Sequence, residues 1–186
     1  MRPPCSVEQQ QMPFPIAATA VAFVGVCIAA DVRTRRIPNL LTGPALVAGA
    51  ALNGMYGGYE GLAHSALGLL APVAILFVPF ALGGIGGGDV KMMGALGAFI
   101  GPRLALSGLA LGMILGGAIM IVHLCRIGRL GEKLRRTIAM FTAAAKTGSI
   151  APLRPPGDDP TAVTLPYSVP LGIGTIAVLA AAGAWR

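Results

Sequence analysis

The stretch that decides the fold is Gly86-Gly-Gly-Asp89-Val-Lys-Met-Met-Gly-Ala-Leu-Gly97, where a glycine run ends at an aspartate and an apolar segment begins. A carboxylate is costly beside hydrocarbon unless a function requires it there. Asp31 stands at the end of an earlier apolar segment and leads into Val32-Arg-Thr-Arg-Arg-Ile-Pro-Asn39. The other five of the seven acidic residues fall in predicted loops or tails: Glu8, Glu60, Glu132, Asp158 and Asp159. The sequence therefore predicts that Asp31 and Asp89 form the functional site.

The composition excludes an ordinary water-soluble domain. Apolar residues make up 55% of the 186-residue chain and charged residues only 11%, whereas about 25% of residues are charged in a typical soluble domain. Most of the apolar segments approach the ~20 residues that cross a ~30 Å hydrocarbon core. They fall at residues 14–30, 40–56, 62–82, 90–100, 104–124 and 166–184. We therefore predict an all-α integral membrane protein, a polytopic bundle of about six transmembrane helices.

One of these six segments is short. Residues 90–100 at ~1.5 Å per residue reach only about halfway through the hydrocarbon. Pro102 follows and is expected to break the helix. In the next segment Gly108, Gly112 and Gly116 recur on one helical face, which predicts close packing against a neighbouring helix.

The domain organisation is expected to be simple. Residues 1–13 are predicted to be a tail, and residues 14–186 a single membrane-embedded domain with a cytoplasmic loop at 125–165. The first half of that loop is either an interfacial amphipathic helix or a solvated basic linker. In the first case its apolar face would contain Ile127, Leu130, Leu134, Ile138 and Phe141. A cleaved signal peptide at 1–30 is disfavoured, because the positive cluster follows the apolar stretch instead of preceding it.

The net charge of +7 is distributed as a membrane protein's topology requires. Eleven of the 14 Lys and Arg residues lie on one predicted side, a bias that places that side in the cytoplasm. They are Arg33, Arg35, Arg36, Lys91, Arg126, Arg129, Lys133, Arg135, Arg136, Lys146 and Arg154. No nucleic-acid motif accompanies this charge. We therefore predict that the protein is embedded in a lipid bilayer and that nucleic acid is not a partner.

No metal or organic cofactor is predicted. The three cysteines, Cys5, Cys27 and Cys125, are too scattered for a metal site or a disulfide framework, and His64 and His123 form no ligand pattern. The glycine run before Asp89 has neither of the spacings of a phosphate-binding loop.

The predicted topology brings the two aspartates to one side of the membrane, because two crossings separate them. Facing carboxyl groups are the requirement of aspartyl proteolysis: the ionised group takes a proton from water while its protonated partner polarises the scissile carbonyl. Gly86, Gly87 and Gly88 would leave room for the backbone of an extended peptide. The structural alternatives are a helix N-cap for Asp89 and an interfacial charge for Asp31.

At these two motifs the chain resembles the type IV prepilin peptidases, intramembrane aspartyl proteases of the Gly-x-Gly-Asp kind. Asp31 with Ile37-Pro38-Asn39 is similar to the family's first motif, and the stretch from Gly86 through Asp89 and Lys91 to Gly97 is similar to its second. Leu165-Pro-Tyr-Ser-Val-Pro170 is similar to a third element but departs from it at Ser168-Val169, and no role is inferred there.

The resemblance implies that Asp31 and Asp89 are the catalytic pair and that Ile37, Pro38, Asn39 and Lys91 support the motifs. Asn39 is expected to cap the second segment and Lys91 to anchor the fourth at the headgroups. The implied partner is a prepilin or pilin-like precursor, cleaved at the cytoplasmic face of a bacterial inner membrane. The absence of paired Cys-x-x-Cys motifs indicates the short form associated with Tad-type pili and gives no support to N-methyltransferase activity.

Two other functional classes stay open at the level of sequence. Paired membrane carboxylates and broken helices also occur in small proton-coupled transporters. A non-catalytic membrane subunit of a secretion or pilus assembly could use the same aspartates structurally.

Overall fold

The computed structural model describes residues 12–82, 84–147 and 167–183, which form five α-helices and, within those ranges, no strand. The helices are α1 Phe14–Thr34, α2 Asn39–Ala81, α3 Gly87–Arg126, α4 Leu130–Thr147 and α5 Ser168–Ala181. This architecture confirms the prediction of an all-α membrane protein. The predicted N-terminal tail falls mostly on residues 1–11, which lie outside the described ranges, as does the second half of the predicted loop.

The long helix α2 consists of two arms that fold back on each other at Gly58. Gly58 has a left-handed φ of 57°, a conformation that glycine adopts without the steric penalty of a Cβ. A Cβ on Gly61 would lie 1.9 Å from the carbonyl oxygen of Asn53. Two residues eight apart in a straight helix would be about 12 Å apart along its axis, so the chain reverses direction between them.

The helix α3 is also broken, at the position that the sequence predicted. Pro102 cannot donate a backbone hydrogen bond, and Gly101 before it has a φ of 75° and a ψ of 173°. The Asn53 side-chain amide donates to the carbonyl oxygens of Ala98 at 2.9 Å and Phe99 at 3.0 Å. Ala98 is the residue whose carbonyl the missing N–H of Pro102 would have bound, so Asn53 satisfies the acceptor that the break exposes.

The first arm of α3 lies at the centre of the bundle. Every residue from 92 to 100 is buried, because both arms of α2 and the helix α1 surround this arm. Gly97 and Gly68 approach so closely that a Cβ on either would lie within 2.0 Å of the other's carbonyl oxygen. The helix begins at Gly87, earlier than predicted, and its 14 residues before the break rise about 21 Å.

The second arm of α3 packs against α5 through the predicted glycine face. A Cβ on Gly108 would lie 2.6 Å from the Thr175 hydroxyl oxygen, and one on Gly112 would lie 2.6 Å from the Leu171 Cα. Residues later in α3 thus contact residues earlier in α5, so the two helices are antiparallel. The predicted role of the glycines in close packing is confirmed.

By length and composition, three of the described helices could cross a membrane: α1, α2 and α3. Each broken helix is counted here as one helix, so this finding gives three possible spans and does not support the predicted six crossings. The number of crossings is taken up below as part of the proposed function.

The predicted amphipathic segment forms the helix α4, which follows α3 after Gly128. Leu134 and Ile138 are more than half exposed, and Arg135 on the same helix is also exposed. Helix formation favours the amphipathic alternative over an extended linker. Contact of this helix with lipid stays a prediction.

Candidate active site

Asp31 lies in the last helical turn of α1 and is 9% exposed. The helix ends at Arg35, whose φ of 51° is the left-handed conformation of a helix C-cap and whose N–H donates to the Asp31 carbonyl oxygen at 2.7 Å. A short connection without regular structure then leads to Pro38, the extended N-cap residue of α2. The cap and the proline fix the path of the chain around Asp31.

Asp89 is the third residue of α3 and is 8% exposed. The N-cap residue of the helix is Gly86, so the alternative in which Asp89 is the N-cap is not what the structure shows. The Asp89 carboxyl group lies beside that residue, since a Cβ on Gly86 would lie 3.3 Å from Oδ2.

The fold brings the two aspartates to the same end of the bundle. The rings of Phe23 on α1 and Phe99 on α3 lie 6.2 Å apart between centroids. From that contact, Asp31 lies eight residues later on α1 and Asp89 ten residues earlier on α3. Their carboxyl groups are close enough to interact electrostatically. The remaining described acidic residues, Glu60 and Glu132, are exposed.

Ser168 is a polar neighbour of Asp31 that the sequence analysis missed. It begins α5, is fully buried, and its hydroxyl group donates a hydrogen bond to Oδ2 of Asp31. The departure of Ser168-Val169 from the third motif element was the available indication, but nothing in the sequence showed which residue this hydroxyl would meet.

The three glycines before Asp89 have different surroundings. Gly86 is exposed, and a Cβ there would lie 3.3 Å from Oδ2 of Asp89. A Cβ on Gly87 would lie 3.1 Å from the ring of Phe80, and one on Gly88 would lie 3.2 Å from the Cβ of Ile37. Gly87 and Gly88 thus permit internal packing as well, whereas Gly86 leaves open space directly beside the carboxyl group.

The motif residues around the aspartates are also connected to each other. Ile37 is 7% exposed and belongs to the core. Lys91 donates a hydrogen bond of 2.8 Å from Nζ to Oδ1 of Asn39 and so joins α3 to the start of α2. The prediction that Asn39 caps α2 is wrong: the N-cap residue is Pro38 and no side chain caps the helix. The Asn39 side chain is instead engaged by Lys91, which places this lysine at the rim of the site.

The arrangement has the components of carboxylate acid–base chemistry. Two nearly buried carboxyl groups from different helices lie at the same end of the bundle, one accepts a hydrogen bond from a hydroxyl group, and an exposed glycine lies beside the other. Among the described residues no group of three or more His, Cys, Asp or Glu side chains could hold a metal ion.

Comparisons with known proteins agree on one family. The profile of the type IV leader peptidase family matches residues 18–121, more than half of the chain and a range that includes both aspartates. The chain is 29% identical over 147 residues to the prepilin leader peptidase/N-methyltransferase of Burkholderia pseudomallei strain 1026b, and equally to that of strain K96243. In each case the alignment covers 72% of this chain and 47% of the relative, so the chain spans about half the length of the curated relatives it matches. No solved structure matches significantly.

Proposed function

We propose that this chain, which belongs to the type IV leader peptidase family, is an intramembrane aspartyl endopeptidase that removes the short basic leader from prepilin or pilin-like precursors. Asp31 and Asp89 are the dyad that activates water. The single observation that supports this most strongly is their convergence: they are the only buried acidic residues that the structure describes, and they come from two helices that meet at one end of the bundle.

The proposed reaction needs only groups that this site provides. Two neighbouring carboxyl groups retain one shared proton, because both cannot ionise easily at short distance. The ionised carboxyl takes a proton from water, whose oxygen attacks the scissile carbonyl carbon while the protonated carboxyl donates to the carbonyl oxygen. Collapse of the tetrahedral intermediate breaks the C–N bond, and a proton passes to the leaving amine. Gly86 lies where a precursor backbone could approach Asp89.

We further propose that the chain crosses the membrane six times, with the site facing the cytoplasm of a bacterial inner membrane. The reversal at Gly58 and the break at Gly101 divide α2 and α3 into two arms each. Together with α1 and α5 these arms make six helical segments. Exposed basic residues, including Arg33, Lys91 and Arg126, lie at the end of the bundle that holds the aspartates, which agrees with a positive inner side.

Cleavage of a co-expressed pilin-like precursor tests the proposed activity. We expect Asp31→Asn and Asp89→Asn each to lower the cleavage rate by a factor of about 10³ or more, because an amide can neither accept the proton from water nor donate a carboxyl proton. The measurement is the gel shift and the N-terminal mass of the product, at matched amounts of enzyme in the membrane. The matched control is Glu60→Gln, which removes an exposed carboxylate and should leave the rate unchanged.

The same variants separate the other functional classes. A transporter would lose ion flux in the aspartate variants and would not cleave the precursor in the wild type. A structural subunit would lose assembly with its partners, again without wild-type cleavage. Undiminished cleavage in both aspartate variants would show that the dyad assignment is wrong.

A further inference from the structure

We propose that Ser168 is a positioning residue for Asp31: its hydroxyl group holds the Asp31 carboxyl group in the orientation that faces Asp89. This inference rests on the proposed peptidase function for its catalytic meaning. It adds to the site a residue from α5, the last described helix.

The contact itself is the first argument. Ser168 is fully buried, and its hydroxyl donates to Oδ2 of Asp31 across a separation of 137 residues in sequence. A buried hydroxyl needs a hydrogen-bond partner, and a hydrogen bond to a charged acceptor contributes more than one between neutral groups. The buried hydroxyl groups of Thr42 and Thr175, in contrast, donate to carbonyl oxygens of their own helix. Ser168 thus connects two elements that the chain brings together only in three dimensions.

The second argument is that α5 is held rigidly against α1. A Cβ on Gly172 would lie 2.7 Å from side-chain carbons of both Val24 and Ile28. On the opposite face, a Cβ on Gly174 would lie 2.5 Å from the backbone nitrogen of Gly112. Helices in such close contact on two sides leave α5 little freedom to slide, so the Ser168 hydroxyl has a fixed place relative to Asp31.

The chemical consequence concerns the two oxygens of the carboxyl group. The hydroxyl of Ser168 occupies Oδ2 of Asp31, which leaves Oδ1 for the attacking water or for the proton shared with Asp89. Rotation of the carboxyl group would break this hydrogen bond, and catalysis depends steeply on such orientation. Ser168 contacts neither water nor substrate in this proposal and acts only through Asp31.

The test compares two deletions of a buried hydroxyl group on the same helix. Ser168→Ala removes the donor to Asp31, whereas Thr175→Val removes a hydroxyl that donates to the backbone of Leu171. We expect Ser168→Ala to lower kcat for precursor cleavage about tenfold with KM nearly unchanged, and Thr175→Val to retain both values. Ser168→Thr, which keeps the hydroxyl group, should retain most of the activity.

The results that overturn the proposal are equally specific. Wild-type kcat and KM in Ser168→Ala would show that the hydrogen bond does not position the carboxyl group. Equal losses in Ser168→Ala and Thr175→Val, or in Ser168→Ala and Ser168→Thr, would assign the effect to packing alone.

A second measurement does not depend on cleavage and separates failure of this inference from failure of the proposed function. A membrane-permeant carbodiimide modifies buried carboxyl groups, and mass spectrometry of the full-length protein in native membranes locates the adduct. With Oδ2 no longer engaged, Asp31 in Ser168→Ala should be modified several-fold faster than in wild type or Thr175→Val, relative to Glu60 as internal reference. An unchanged rate would overturn the proposal even if the chain cleaves precursors. A faster rate would support it even if no tested precursor is cleaved.

Discussion

Glycine residues decide how closely the helices of this protein approach. The Gly68 and Gly97 backbones touch, because neither residue has a side chain to hold the helices apart. Gly97 ends the second motif, so the same short stretch carries both Asp89, a proposed catalytic residue, and a backbone contact between helices. In lipid such contacts replace the hydrophobic effect as the driving force for helix association.

We expect Gly97→Ala to destabilise the protein by about 3 kcal/mol or more, since the new Cβ would lie 1.9 Å from the Gly68 carbonyl oxygen and the backbone cannot yield easily. The control is Gly117→Ala on the same helix, where a Cβ would meet nothing within 4 Å. That change should be neutral or stabilising by about 0.5–1 kcal/mol. The free energy of unfolding in detergent micelles, measured by denaturant titration, distinguishes the two. Equal stability of both variants would contradict the close contact.

Another pair at this scale is Lys91 and Asn39, whose hydrogen bond joins the two motifs at an exposed position. We expect a double-mutant cycle with Lys91→Met and Asn39→Ala to give a coupling of only about 0.5–1 kcal/mol in unfolding free energy, because the bond is made in contact with solvent. A coupling within error of zero would mean that the two residues support the motifs independently.

At the scale of elements, each broken helix has a specific cause, and the break in α3 also has a specific compensation. Gly58 reverses α2, and Gly101 with Pro102 interrupts α3. Non-helical backbone is tolerated at membrane depth only where protein or water satisfies its polar groups. At the break in α3 the protein itself does this, because the side-chain amide of Asn53 donates hydrogen bonds to the carbonyl oxygens of Ala98 and Phe99.

Replacement of Asn53 by Leu should therefore destabilise the protein by about 1–3 kcal/mol, because the carbonyl groups of two buried residues lose their donor. Asn53→Asp, which keeps the shape but removes both N–H groups, should cost at least as much. Thr19→Val is the matched control, as it removes an exposed hydroxyl that donates to the Pro15 carbonyl. Unfolding in micelles again provides the measurement, and a loss in Asn53→Leu no larger than in Thr19→Val would count against this compensation.

At the scale of the whole molecule, the reversals at Gly58 and Gly101 determine which ends of the helices lie together. The first arm of α3 runs opposite to α1, and its second arm runs opposite to α5. This alternation places Asp31, Asp89 and Ser168 at one end of the bundle and the turn around Gly58 at the other. The proposed six crossings follow from this alternation, although length and composition alone indicate three helices able to span a membrane.

Cysteine accessibility tests this topology. In a background without the three native cysteines, Gly57→Cys should react with an impermeant maleimide in intact cells, because the turn between the arms of α2 would face outward. Arg129→Cys, between α3 and α4, should react only after the inner membrane is permeabilised. Both positions are exposed. If position 57 resisted labelling until the membrane was dissolved, the turn of α2 would not reach the outer face and the proposal of six crossings would fail.

The sequence by itself determined the fold class and the principal candidate residues. Hydropathy predicted an all-α membrane protein, Pro102 predicted the break in α3, and the spacing of Gly108, Gly112 and Gly116 predicted a packed face. Each of these properties depends on the residues of one segment alone, so the sequence of that segment is enough to predict it. The rarity of acidic residues singled out Asp31 and Asp89, whose catalytic role stays a proposal.

Only the tertiary structure decided which residues meet. It showed the hydroxyl of Ser168 on Asp31, the amide of Asn53 at the broken α3, and Asn39 bound by Lys91 instead of capping α2. Each of these contacts joins residues at least 45 positions apart, and side-chain type does not specify a distant partner. The physical reason is that a polar group in a membrane protein must find a hydrogen-bond partner, but the direction and closeness of the packed helices determine which partner is within reach.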